Sequence, residues 1–391
     1  MKYGIQNLIK KIHHKIPPGL RNYYRFLIVL IKRISNYIMP LWHYKLKNIE
    51  SGEPFSFVYI GWDSKLCNYW LNRFSDCDKI NAKSGKIASW SIPKFLDNNK
   101  DKIDLAIIES TKKAVSGKYP FSFLLPRWME MELDIASSLK KSRIKNITRN
   151  IKKYSLEYEV RDDAEAFNLF YHRMYKPFVL TRHGKSADIS DYKHFFSKFR
   201  NDECVLFFII RENEPVAAAF IEVKEAGHRL SAFGIKDGSD EIFKLGVIGA
   251  LYYFVMLHYY GKGFSSILVG SSMAVVFDGV TEFKMQIGAE PHLDDLPERP
   301  KYYFLPMNNK PQMVRTLKTN PLFYLTNGGL NIATFISSAD YSNKADFLKF
   351  FKRFKSDKVE KTNMFFLDDD KRIVNWINEE GVKDVEISRY K

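Results

Sequence analysis

The chain has 391 residues, 45% of them hydrophobic and 15% aromatic, and a formal net charge of +16. That composition excludes a disordered chain and leaves room for two or three domains with cores of their own. The charge is uneven. Residues 1–49 carry ten Lys or Arg and no acid, and KKSRIKNITRNIKK (140–153) carries seven positives and no acid. Two basic elements therefore stand on a nearly neutral body, and a uniformly basic protein is excluded. Three cysteines without a CxxC pair (Cys67, Cys77, Cys204) predict a reducing compartment, the cytoplasm, and no disulfide framework. Nine scattered histidines form no HxxxH or HExxH pattern, so no metal site is expected.

In chain order, residues 1–48 read as a basic arm of two amphipathic helices broken at Pro17-Pro18, the second running Arg21 to Tyr37. Basic charge beside an apolar face suits an anionic membrane surface, and a helical arm packed on the body is the competing reading. The apolar run FLIVLI (26–31) is far shorter than the roughly 20 residues a membrane span needs. Residues 49–136 read as a small α/β unit: a strand at FSFVYIGW (55–62), a helix at CNYWLNRF (67–74), and strands at DLAIIEST (104–111) and FSFLLP (121–126).

From 137 to 310 the pattern sharpens. A basic helix, capped by Ser137 or Ser138, leads into the strand LEYEVR (156–161). Helices follow over Ala164–Tyr175 and Ser190–Phe199, then a hairpin of CVLFFIIR and VAAAFIEVK around ENEP, then the strand RLSAFGI (229–235). A long apolar helix, Phe243 to Tyr260, ends at Gly261 and precedes a buried strand SSILVG (265–270). A helix of that length between two strands predicts a parallel pair. A short helix over DGVTEFKMQIGAEP (278–291) and a last strand, YYFLPM (302–307), close the domain. Residues 311–391 form an appendage ending strand, helix, strand.

Four stretches carry a resemblance: SSLKKSRIKNITRNIKKYSLEYEV, FYHRMYKPFVLTRHGK, ENEPVAAAF, and DGVTEFKMQIGAEP with its Phe-Lys between glycines. In this order they resemble the acetyltransferase-like (GNAT) domain of the FemAB and BioF2-like acyltransferases, over about 170 residues. The resemblance implies an α/β (α+β) fold, a mixed sheet with flanking helices, with residues 49–136 as a smaller, degenerate GNAT-like unit before it. It implies an N-acyltransferase that moves an acyl or aminoacyl group to an amine of a metabolite, peptide or cell-envelope precursor. The donor is acyl-CoA or an aminoacyl-tRNA. The usual pyrophosphate loop of the wider superfamily is not matched: DEIFKLGVIGAL has Gly246 and Gly249 out of phase and opens on Asp240-Glu241, which repel phosphate. A tRNA donor suits the basic helix 140–153.

The candidate site follows. Lys284, between Phe283 and Met285, is expected to stabilise negative charge in the transition state, as a cation that stays charged. Its replacement by alanine is expected to leave the melting temperature nearly unchanged. His183, with an ordinary pKa near neutrality, and Asp237 are candidate bases. Arg182 is a candidate phosphate or carboxylate clamp, with Tyr175, Ser271, Ser272 and Phe283 lining the substrate and Gly246 and Gly249 the cofactor. Each has a plainer reading: Lys284 paired with Glu282 or Asp278, Asp237 in the turn DGSD, Arg182 and His183 as loop-end polarity. The competing functions are a non-catalytic membrane-surface protein and a tRNA- or nucleic-acid-binding protein on the same fold. The expected place is the cytoplasm, peripheral on the inner face of the membrane.

Overall fold

The computed structural model describes residues 37–391 except 75, 110–118, 120, 185–188, 225–226, 355, 369–371, 380–383 and 391; the side chains of His183, Lys224 and Asp295 are also outside the description. The two helices expected before residue 37 lie outside the described residues. The chain divides into two compact units, one running to Leu124 and taking back Lys301–Thr316, the other Leu125–Pro300 with Leu317–Lys391.

In the first unit, β1 (Ile38–Asn48) pairs antiparallel with β2 (Pro54–Ile60) on one side and β3 (Cys77–Ala88) on the other. β2 then runs parallel to β4 (Leu105–Glu109). Helices α1 (Ser64–Arg73) and α2 (Ile92–Asn99) make the connections. β1 occupies what reads as the end of the basic arm. Its aromatic and β-branched residues favour the pleated strand, and Met39, Tyr44 and Leu46 are buried in it. β3 escapes sequence reading because nearly all of it is exposed and polar. The strand Lys301–Pro306 pairs antiparallel with β4, so YYFLPM belongs to this unit and not to the end of the following domain. A continuous apolar run marks a buried strand without saying which sheet buries it.

The second unit holds a seven-stranded sheet in the order β11-β5-β10-β9-β8-β7-β6. They are β5 (Met129–Asp134), β6 (Glu157–Arg161), β7 (Cys204–Arg211), β8 (Glu214–Lys224), β9 (Gly227–Ile235), β10 (Ser266–Ser272) and β11 (Ala289–Pro291). β6 through β9 form an antiparallel meander, and β10 is parallel to β9, as the crossover length predicts. The β7–β8 turn holds Glu212 and Asn213 at φ +53° and +62°, the pair of left-handed residues a two-residue hairpin turn requires.

The helices of this unit depart from their sequence-based bounds in instructive ways. The basic helix is two: α3 (Ile135–Ser138), capped by Asp134, and α4 (Ser142–Lys153), whose N-cap Lys141 makes no side-chain cap. Neither Ser137 nor Ser138 caps it. α5 (Ala164–Asn168) continues through a π-helical stretch, Leu169–Tyr175, into α6 (Lys176–His183), and α7 (Tyr192–Arg200) follows. The stretch presses on β9: a Cβ on Gly234 would sit 2.3 Å from the Met174 carbonyl carbon, so only glycine admits the helix there. The long apolar helix is also broken, into α8 (Asp240–Lys244) and α9 (Val247–Gly261), by Gly246 at φ +81°. Gly261 is the last helical residue, and the left-handed position falls to Gly263. α10 (Gly279–Gln286) follows β10.

The second unit ends with the hairpin β12 (Leu322–Leu325) and β13 (Leu330–Ile336), then α11 (Lys344–Phe351). The expected strand, helix, strand follows as β14 (Thr362–Phe366), α12 (Arg372–Glu379) and β15 (Val385–Arg389), with β13, β14 and β15 parallel.

Candidate functional site

β9 and β10 come into register at one pair, Arg229 with Leu268. Beyond it β9 stays with β8, from Ala232 opposite Phe220 to Ile235 opposite Ala217, while β10 follows β5. The two parallel strands therefore splay apart. β10 bulges at this point: its register with β5 slips between Leu268 and Ser271, and Gly270 takes φ +78°. A Cβ on Gly270 would lie 3.0 Å from the Leu230 carbonyl, so glycine serves both the turn and the close approach.

Lys284 closes the bulge. Asp278 caps α10, its carboxylate accepting from the Val280 and Thr281 amides. One turn in, Thr281 and Lys284 share the inner face. The Thr281 hydroxyl donates to the Met273 carbonyl (3.0 Å), and the Lys284 ammonium donates to the carbonyls of Gly270 (2.9 Å) and Ser271 (3.2 Å). Lys284 is 3% exposed. Burial pushes its amine down to about 8, opposed by nearby Glu130 and furthered by Arg229. It pairs with neither Glu282 nor Asp278. Glu282 is held by Arg353 at 2.6 Å.

Beside the bulge lies a charge network centred on Glu130, Arg229 and Arg299, three residues that the sequence does not single out. Glu130, on β5 and 2% exposed, accepts from Arg229 (Nε to both oxygens, 3.1 Å), from Arg299 (Nη2, 3.2 Å) and from the Ser271 hydroxyl (3.2 Å). Arg229 also donates to Ser231 (2.9 Å), and Glu222, opposite Arg229 in the ladder, pairs with Lys198 at 2.6 Å. Burial raises the Glu222 carboxyl, but Lys198, Ser231 and Arg229 outweigh it and hold it below its ordinary value. The one signal of Glu130 in sequence is the alternation of Met129, Met131 and Leu133 with Glu130 and Glu132 (129–133), a strand pattern with acids where a solvated face is the default.

Of the expected residues, the structure brings Lys284 and Ser271 into contact, with Ser272 next along β10 and Phe283 next along α10. Ser271 joins Lys284 through its carbonyl and Glu130 through its hydroxyl. Ser272 is 1% exposed, and its hydroxyl has no hydrogen-bond partner among the described residues. Phe283 stacks edge-on against Tyr252 and lies under Arg143. Tyr175, Asp237, Arg182, Gly246 and Gly249 have structural partners. Tyr175 is buried among Phe170, Tyr171 and Phe195, its hydroxyl accepting from the Ser190 amide (3.0 Å). Asp237 is gripped by Arg173 through two bonds of 2.8 Å, which holds its carboxyl below the ordinary value and makes it a poor base. Arg182 pairs with Asp240 (3.2 Å) and lies 3.9 Å over the Phe243 ring. His183 ends α6, and its side chain is outside the description. Gly246 is the left-handed joint between α8 and α9, and a Cβ on Gly249 would meet Ile147 of α4 at 3.0 Å, so these glycines admit a helix where a cofactor was expected.

A separate cleft of about 520 Å³ lies on the outer face of α10. Glu282, Met285 and Gln286 line it with Lys141 at the N-cap of α4, Arg143 of α4 and Lys352. Lys284 points the other way, into the bulge of β10.

No family model matches the sequence, and no curated protein matches it. Solved structures similar to the chain include FemX, 12% identical over 67% of this chain and 88% of that one, with a TM-score of 0.36. The C-terminal domain of a putative lysylphosphatidylglycerol synthetase from Agrobacterium fabrum is 12% identical over 70% and 86%, with a TM-score of 0.32. A tandem GNAT protein from the clavulanic acid biosynthesis pathway is 8% identical over 67% and 82%, with a TM-score of 0.28. With its antiparallel meander, its crossover helix and its splayed parallel pair, the second unit has the GNAT-like mixed sheet with flanking helices expected from the resemblance of its sequence to the FemAB-like acyltransferases.

Proposed function

We propose that the chain is an N-acyltransferase that moves an acyl or aminoacyl group onto the amine of a metabolite, peptide or cell-envelope precursor. One observation carries this reading: the buried Lys284 ammonium at the point where β9 and β10 part. An ammonium has three donors, and two are used by the Gly270 and Ser271 carbonyls. The third serves the oxygen of a donor carbonyl as it becomes an oxyanion, where an aimed donor counts for most. In the reaction, the acceptor amine forms a bond to the acyl carbon, the ester or thioester bond breaks, and the amine's proton passes by way of a base to the departing oxygen or sulfur. His183 is the base in this reading, since Asp237 is committed to Arg173.

An aminoacyl-tRNA is the favoured donor over acyl-CoA. Asp240 and Glu241 open α8, and Ile147 covers Gly249, both unfavourable to a pyrophosphate. α4 offers Lys145, Arg149, Lys152 and Lys153 on its exposed side, where a polyanion is attracted. These same exposed cations favour the second reading, a tRNA-binding protein without chemistry.

Mass spectrometry of acceptor mixtures incubated with acyl-CoA or with aminoacyl-tRNA tests both. Appearance of an amide product that requires Lys284 supports the transferase. Salt-sensitive tRNA binding with no product from any donor leaves the second reading in its place.

A further inference from the structure

Glu130 has no part in the chemistry described above, yet it is among the most buried charges of the second unit. An isolated buried carboxylate is strongly unfavourable, and this one is compensated by two arginines and a hydroxyl. Its partners come from three separate stretches of chain: Arg229 on β9, Ser271 on β10 and Arg299 in the segment after β11. Arg229 stands at the last register pair before β9 and β10 part. Ser271 stands on the bulge and supplies one of the two carbonyls that hold Lys284. The carboxylate thus joins the two strands at the vertex of the splay, through side chains, where the backbone ladder ends.

We infer that Glu130 is a positioning residue: it pins the vertex of the splayed pair and the Ser271 carbonyl, and so sets both the place and the electrostatic surroundings of the Lys284 amine. The inference deepens the transferase reading and rests on it for its purpose. The charges facing Lys284 are Glu130 from β5, Arg229 from β9 and Asp278 at the start of its own helix, with Arg299 behind Glu130. Glu130 and Arg229 act on the amine with opposite sign. Removing one partner of their pair exposes Lys284 to the other, which gives a test that general loosening of the fold does not imitate.

The experiment is a titration of Lys284 by NMR in the full chain carrying isotope-labelled lysine, with the signal assigned by its loss in Lys284→Met. It needs no substrate, so it stands or falls apart from any assay of acyl transfer. Glu130→Gln is expected to lower the Lys284 midpoint by about one pH unit or more, because Arg229 and Arg299 then face it uncompensated. Arg229→Gln is expected to raise it, and the double variant to return it toward the wild-type value. If Glu130→Gln does not fold, Arg229→Gln alone carries the test. Shifts of the same sign in both variants, or none in folded protein, overturn the inference. Where a transferase assay is in hand, Glu130→Gln lowers kcat at nearly constant KM and Glu130→Asp restores part of it; a change in KM alone speaks against positioning.

Discussion

At the scale of single residues, Lys284 changes meaning once its surroundings are known. A lysine between Phe283 and Met285 reads as replaceable without harm to stability. In the structure its ammonium satisfies two carbonyls of a buried bulge. Lys284→Met is therefore expected to lower both turnover and melting temperature. A lost oxyanion donor typically costs about 2.7–4 kcal/mol, a hundredfold or more in kcat, and a stranded buried polar group about 1–3 kcal/mol in stability. A variant with full turnover removes Lys284 from the chemistry; one with an unchanged melting curve removes it from the bulge. Its pKa also bears on pH. With the amine pushed to about 8 from its ordinary 10.5, the charged form is present below 8 and is lost above it. Turnover that depends on the cation is expected to fall as pH rises through about 8, read from a kcat–pH profile. For stability the sign is opposite. Between about 8 and 10.5 the unfolded chain holds the proton that the folded one has released, so folding gains with pH across that window. Urea midpoints of wild type and Lys284→Met, compared at pH 8 and pH 10, should show wild type gaining on the variant.

At the scale of elements, close approaches decide more than propensities do. The π-helical stretch before α6 lies so near β9 that Gly234 has no room for a methyl group: the Met174 carbonyl carbon and the Tyr175 amide nitrogen would each be 2.3 Å away. Because the obstruction is backbone, the whole helix must move to admit a side chain. Gly234→Ala is expected to cost about 1–3 kcal/mol or more, as overpacked cores do. A chemical-denaturation midpoint that stays in place shows the helix to be more compliant than its packing implies. Gly249→Ala is the milder control, since it meets side-chain atoms of Ile147, the nearest at 3.0 Å, and no backbone. At the two-helix segment α8–α9, a single left-handed glycine turns one apolar run into two helices, with Asp240 and Glu241 in the first turn of α8.

At the scale of the whole molecule, the charge is concentrated where the two basic elements lie. Among the described residues no helix is long and apolar enough to cross a membrane. The basic arm, which lies largely before residue 37, is proposed as a peripheral anchor. Each basic residue near an anionic surface contributes about 1 kcal/mol, so a few of the eight in residues 1–36 suffice. Flotation with anionic vesicles is expected to succeed at low salt, fail at high salt, and vanish on deletion of residues 1–36. Equal flotation with neutral vesicles would show the anchor to be apolar.

What the sequence by itself determined is the order and type of the strongly patterned elements of the second unit. The meander β7–β8–β9, the crossover helix, the parallel β9/β10 pair and the closing strand, helix, strand follow from periodicity and turn residues, which act locally. It also singled out Lys284, by the contrast of one cation in an apolar stretch. What only the tertiary structure decided is whatever depends on a meeting between distant segments. β5 carries acids that read as solvent-facing until two arginines from 229 and 299 arrive to bury Glu130. The strand Lys301–Pro306 could not declare its sheet, because an all-apolar strand fits either. Tyr175, Arg182 and the two glycines read as binding groups, and Asp237 as a base, because their chemistry suits those roles. Their hydrogen-bonding and packing capacity is instead met by Ser190, Arg173, Asp240 and Ile147, none of them near enough in sequence to be foreseen. Local pattern fixes what an element is; long-range pairing fixes what its side chains do.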